Sequence, residues 1–82
     1  MKKTRKQAAR NQVGPRIRVA RLRASPAISQ DDLAGRLAAM GVLLDRSAIS
    51  RIESQERYLM DFEVSAMSKC LKVSIAWLFE EP

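Results

Sequence analysis

Ser29-Gln30-Asp31-Asp32 constrains this chain more than any other stretch. A hydroxyl followed three residues later by a carboxylate has the form of a capping box. The Ser29 oxygen accepts from a free backbone N–H of the first turn, and Asp32, one carbon shorter than the usual Glu, reaches back to the Ser29 N–H. A helix starting here places Leu33, Ala34 and Leu37, with Met40 or Ala38, on one face, and Gly41 can end it. Asp45 then offers a second N-cap, and Ala48, Ile49 and Ile52 recur inward behind it. Two short, separately started helices must therefore pack together across Gly41-Val42-Leu43-Leu44.

The same punctuation recurs on either side. Organisation begins at Val13, and a first helix over about Gly14–Ala24 aligns Val13, Ile17, Ala20 and Ala24. Pro15 suits its first turn, where a missing N–H costs nothing, and Ser25-Pro26 stops it. A fourth helix runs from Asp61 to about Leu71 with Val64, Met67, Ser68 and Leu71 inward. A short fifth starts at Ser74 and packs through Ile75, Leu78 and Trp77, the last as core anchor or interface residue. Met40, Met60 and Met67 read as core or interface filler, and Cys70 as a packed helix position. Aromatics are 5% of the chain, so aliphatic side chains must fill the core. The fold class expected is all-α, a compact four- to five-helix bundle with one core built largely from Ile17, Leu33, Leu37, Ile49, Ile52, Met67, Leu71 and Leu78. The domain spans 13–82, and residues 1–12, polar and basic, read as a flexible arm.

Charge is unevenly spread. Residues 1–23 hold nine Lys or Arg and no acid, whereas 24–82 hold six basic and nine acidic residues. Such asymmetry suggests an anionic polymer or a membrane surface as partner. The membrane alternative, through residues 13–24, suffers from a weak apolar face. No stretch approaches the roughly 20 apolar residues of a membrane span, and no apolar run follows the basic start as in a secretory signal. A soluble, cytoplasmic and nucleoid-associated protein is expected. With one cysteine, no histidine and no carboxylate cluster at ligand spacing, neither a disulfide nor a metal site is expected. Catalysis has no support: the available nucleophiles, Ser and Cys70, have no evident base beside them, and there is no glycine-rich phosphate loop. No cofactor is expected.

The outward face of the third helix carries the functional signal. Arg46, Ser47, Ser50, Arg51 and Ser54 are short, polar or basic, where a solvated face is normally rich in Glu and Lys. An α-helix fits the major groove of B-DNA, arginine pairs bidentately with guanine, and serine bonds base edges or phosphate. Gln30, in the first turn of the preceding helix, is placed with its free backbone N–H groups to bind a phosphate. Arg57 and Tyr58 follow the third helix as further phosphate candidates, and the arm supplies Lys3, Arg5 and Lys6 beside Lys2 and Arg10.

The segments NQVGPRIRVAR, ISQDDLAGRL, DRSAISRIESQERYLMDFE and LKVSIAWLF, in this order over residues 11–79, resemble the Cro/C1 (XRE-like) helix-turn-helix family. SQDDLA, SAISRIE and VSIAWL are the strongest marks and are specific only together. The resemblance implies a lambda-repressor-like DNA-binding domain. It implies a transcriptional regulator, in most members a dimer on an inverted-repeat operator, with the last helix often the dimer contact. The family also contains antitoxins, so a protein-interaction module with incidental DNA binding is the alternative. By position, Gln30 resembles the family's phosphate-binding glutamine, and Arg46, Ser47, Ser50 and Arg51 fall where base and phosphate contacts lie. Glu53 matches a structural glutamate that pairs with an arginine of the first helix. Counting from Gly14 favours Arg21 for that pair and counting back from Gln30 favours Arg23; Arg21, which follows the Ile17–Ala20 face, is preferred. Three departures stand out. The first loop is about two residues longer than usual, and Leu37 to Asp45 about five residues longer, through an extended second helix or a longer loop. Gln55 stands where Gly is common, so it is left-handed or the helix runs on to Arg57.

Overall fold

The computed structural model describes residues 9–81. Lys3, Arg5 and Lys6 of the arm lie outside the described residues. Five helices form, α1 (Gly14–Arg23), α2 (Gln30–Ala39), α3 (Arg46–Glu53), α4 (Asp61–Leu71) and α5 (Ile75–Leu78), and among the described residues there is no strand. The all-α class follows. No helix is long and apolar enough to cross a membrane.

Helices α2 to α5 each carry a side chain at the N-cap or third helical position that answers a backbone N–H group of the helix start. At α2 the Ser29 hydroxyl accepts from the Asp32 N–H at 2.9 Å, and the Asp32 carboxylate accepts from the Ser29 N–H at 3.2 Å. That bond from the Ser29 backbone, and then the Ser29 hydroxyl, hold the Asp32 carboxyl below the usual carboxylate range. The support it gives α2 is therefore present above the ordinary carboxylate range and fades as pH falls through the depressed value. At α3 Asp45 accepts from Ala48 N–H at 2.8 Å, and at α5 Ser74 accepts from Trp77 N–H at 2.9 Å. At α4 the Glu63 carboxylate accepts the Met60 N–H at 2.9 Å. An apolar residue also precedes the N-cap of these four helices and faces one five positions on: Ile28 with Leu33, Leu44 with Ile49, Leu59 with Val64, Val73 with Leu78. All eight lie in or against the buried cluster, the pattern of a hydrophobic staple that sets how the chain enters each helix.

The ends are equally explicit. After α2, Gly41 takes φ +84 while its N–H donates to the Ala38 carbonyl and the Val42 N–H to that of Leu37, both at 2.9 Å. This is a Schellman stop, and Gly41 fits because it lacks the Cβ that opposes a left-handed residue. The long connector is thus a loop, and α2 is not extended. Gln55 ends α3 in the same way at φ 66, with the Glu56 N–H on the Arg51 carbonyl at 2.8 Å, so α3 does not run on to Arg57.

The eight expected core residues are all buried, joined by Val13, Ala20, Ile28, Leu44, Ala66 and Cys70. Burial pushes the Cys70 thiol up, against the nearby Arg36 charge, so it stays protonated at neutral pH. α1 lies against α3, α4 and α5, and α2 against α3 and α4. Ile75 and both candidates for the end of the α2 face, Met40 and Ala38, are exposed, and Met60, read as core or interface filler, lies outside the core. Ile75 is exposed because one turn of helix turns only Leu78, with Trp77 half-covered, toward the core. Met40 and Met60 are exposed because both stand at helix ends, beyond the last inward turn of α2 and before the first of α4. Trp77 packs under Arg16, whose guanidinium carbon lies 3.6 Å from the ring centroid and whose Nε donates to the Trp77 carbonyl at 3.1 Å.

The body extends further toward the N-terminus than Val13. Asn11 accepts the Gly14 N–H at 2.7 Å and donates its amide to the carbonyls of Ile52 at 3.0 Å and Arg57 at 2.8 Å. The Arg10 N–H meets the Gln55 carbonyl at 2.9 Å, and the Gln55 amide returns to the Asn11 carbonyl at 3.0 Å. The start of α1 and the end of α3 are thereby tied together.

Candidate nucleic-acid interface

Burial of Ile49 and Ile52 decides which way α3 faces. With these two fully covered, Arg46, Ser47, Ser50 and Arg51 are turned to solvent. Together with Gln30 they line an open cleft of about 430 Å³. Five of the candidate contact residues are thus gathered by two helices into one surface. Its lining contains two arginines and no acid. Neither Arg46 nor Arg51 takes part in an ion pair among the described residues, unlike Arg16, Arg21 and Arg57.

Behind the cleft sits the element that holds α3 at its angle. Arg21 meets Glu53 through two parallel bonds, Nε to Oε2 at 2.8 Å and Nη2 to Oε1 at 2.9 Å, with both residues buried. Nη1 donates to the Ile28 carbonyl at 3.0 Å, so α1, the loop before α2 and α3 meet at one guanidinium. The hydrogen bond to Glu53, opposed by burial, raises the Arg21 pKa and keeps it charged. The arginine of the pair is therefore Arg21. Arg23 is exposed, 5.7 Å from the Trp77 ring.

Gln30 joins the same network. Its amide nitrogen donates to Glu53 Oε1 at 3.2 Å, leaving one amide N–H and the carbonyl oxygen for other partners at the edge of the cleft. Glu53 thus positions Arg21 and Gln30 at once.

Arg57 and Tyr58 are outside the cleft lining. Arg57 is half-buried, bonded to Glu63 at 3.2 Å and to the Tyr58 carbonyl at 2.9 Å, which gives it a part in bracing α4. The Tyr58 ring is exposed, with the Arg10 guanidinium 5.6 Å from its centroid. Asn11 is the positioning residue that sequence reasoning left in the arm; an asparagine three residues before a Gly-Pro helix start is the signal that marks it. Among the described residues no three His, Cys, Asp or Glu side chains gather where a metal ion could sit.

Comparison with known protein families, curated proteins and solved structures finds no match to this chain.

Proposed function

We propose that this protein is a sequence-specific reader of double-stranded DNA and a transcriptional repressor of the Cro/C1 type. In this reading α2 and α3 are its helix-turn-helix. The observation that carries the reading is the convergence of Gln30, Arg46, Ser47, Ser50 and Arg51 on one acid-free cleft. Such a surface offers a helix to the major groove, two arginines to guanine edges, and short serines that let the helix backbone come close. Gln30 and the first turn of α2 supply a phosphate contact, and Tyr58 with Arg10 a flanking one. Lys3, Arg5 and Lys6 add sequence-independent, salt-sensitive attraction. The protein acts as a dimer on an inverted repeat, as the family resemblance implies.

Arg46→Ala and Arg51→Ala test the assignment. Each is expected to weaken binding to the preferred duplex by about 1–3 kcal/mol, roughly 5- to 150-fold, and to relax preference at one base pair. Affinity for unrelated duplex falls far less. Unchanged affinity and an unchanged footprint in both variants contradict the assignment. The alternative, an antitoxin-like or adaptor module, draws on the exposed Met60, Phe62 and Phe79. It requires a protein partner whose binding survives both substitutions.

A further inference from the structure

Leu43 is the most exposed large apolar side chain among the described residues, 83% accessible, in the connector that leads into α3. Its neighbour Leu44 is buried and anchors the connector, so the backbone that carries Leu43 is held while the side chain projects. Leu43 lines an apolar groove with Ala34, Gly35, Ala38, Leu44 and Asp45. This groove shares no lining residue with the arginine cleft but neighbours it along the chain on both helices. Ala34 stands one turn after Gln30 on α2, and Asp45 directly precedes Arg46. The α2 wall is shallow: a Cβ added at Gly35 would meet no atom within 4 Å. The arginine cleft is basic and polar, and the neighbouring groove is lined by apolar residues with Asp45 as its one acid.

The chemistry of the major groove selects the occupant. Base edges there present hydrogen-bond donors and acceptors, and a single apolar group, the C5 methyl of thymine. Among the base edges of the major groove, an apolar groove beside a base-reading cleft has no other alkyl group to meet. The geometry points to Leu43 as a specificity-determining residue that packs on a thymine methyl next to the base pairs read by Arg46, with the long connector as the device that delivers it. The inference rests on the DNA-reading proposal above.

The probe is the preferred duplex, and a copy of it for each thymine in which deoxyuridine replaces that thymine. Deoxyuridine keeps every hydrogen-bonding group and loses only the methyl. Wild-type protein is expected to lose about fourfold in affinity at one or two thymines per half-site, the effect of one methyl leaving an apolar contact. Leu43→Ser loses this discrimination and binds the thymine and uracil duplexes alike, whereas Leu43→Met, which keeps an apolar tip, retains it. Both variants should melt as wild type does, since the side chain is exposed. Three results overturn the inference while leaving the DNA reading intact: wild type indifferent to every replacement, discrimination retained in Leu43→Ser, or a Leu43→Ser effect confined to self-association in sedimentation. If no duplex is preferred, or if Arg46→Ala and Arg51→Ala bind it as well as wild type, the DNA reading fails and this inference falls with it.

Discussion

Gly14→Ala is expected to cost about 3 kcal/mol or more and to lower the melting temperature by roughly 12–24 °C in a domain of this size. Helix propensity alone favours the change, because alanine is the better helix former by about 1 kcal/mol. The effect comes from α3. A Cβ at position 14 would overlap the Ile52 carbonyl oxygen and stand 2.9 Å from Asn11 Oδ1. Extra atoms among side chains typically cost about 1–3 kcal/mol, because rotamers can yield. Here the nearest obstacle is backbone, and Ile52 is fully buried on a helix end tied down by Asn11 and Gln55. Separating α1 from α3 would also stretch the Asn11 bonds to Ile52 and Arg57. Thermal unfolding followed by circular dichroism measures the effect. A melting temperature within about 3 °C of wild type, less than a 1 kcal/mol change produces in a domain of this size, would falsify this account of why glycine stands at the crossing.

The second large effect belongs to the buried pair. Arg21→Met or Glu53→Leu alone should each destabilise by about 3–5 kcal/mol, since either leaves one charge buried and unpaired. The double variant Arg21→Met/Glu53→Leu should recover much of that loss, because replacing both charges by apolar groups removes the uncompensated charge. Recovery stays incomplete: the Ile28 carbonyl loses its Arg21 donor and the Gln30 amide its Glu53 acceptor. Urea titration of the four proteins should show the double variant less destabilised than either single variant, which is a coupling larger than either single loss, and additive single effects would contradict the pair's proposed role. Arg21 contributes no pH dependence in the range where proteins are handled. Its pKa is raised from an already high value, so its own deprotonation removes the stabilisation only in strong alkali. The double variant also separates folding from reading. With α3 no longer fixed by the guanidinium and Gln30 released, DNA affinity is expected to fall even where stability is recovered.

Much of the fold was legible because the chain declares its helix starts. Ser29 with Asp32, Asp45 and Ser74 each cap the helix that spacing assigned to them. The core faces of α2 and α3 followed from periodicity, as Leu33 and Leu37 and Ile49 and Ile52 show, whereas on α4 it placed Met67 and Leu71, left Val64 and Ser68 only half-buried and missed Glu63 and Ala66. Periodicity was silent about residues just outside the helices. Ile28 and Leu44 are buried in connectors, and the signal for them is the staple spacing, from Ile28 to Leu33 on α2 and from Leu44 to Ile49 on α3. Ile75 misled because a four-residue helix has too little length for periodicity to choose a face.

The candidate site divides in the same way. Residues on one helix face, Arg46, Ser47, Ser50 and Arg51, could be grouped from spacing alone. Choosing Arg21 over Arg23 depended on the length of the loop before α2, and two counts disagreed; the bidentate contact with Glu53 decides it. The ion pair of Arg57 with Glu63 and the three bonds of Asn11 join residues from 3 to 46 positions apart through turns whose shape no local pattern specifies.

Selection from a random-sequence duplex pool at about 150 mM salt, followed by sequencing of the bound fraction, decides whether this protein reads base sequence. At this ionic strength exposed charges are screened beyond about 8 Å, so attraction through the basic arm alone is weakened. A dimeric reader recovers a short inverted repeat whose half-sites lie about one helical turn, or a multiple of it, apart, and Arg46→Ala or Arg51→Ala erases a defined base pair from each half-site. Recovery of no motif, with binding that vanishes as salt rises, would contradict this reading, leaving a surface that attracts DNA by charge without reading it.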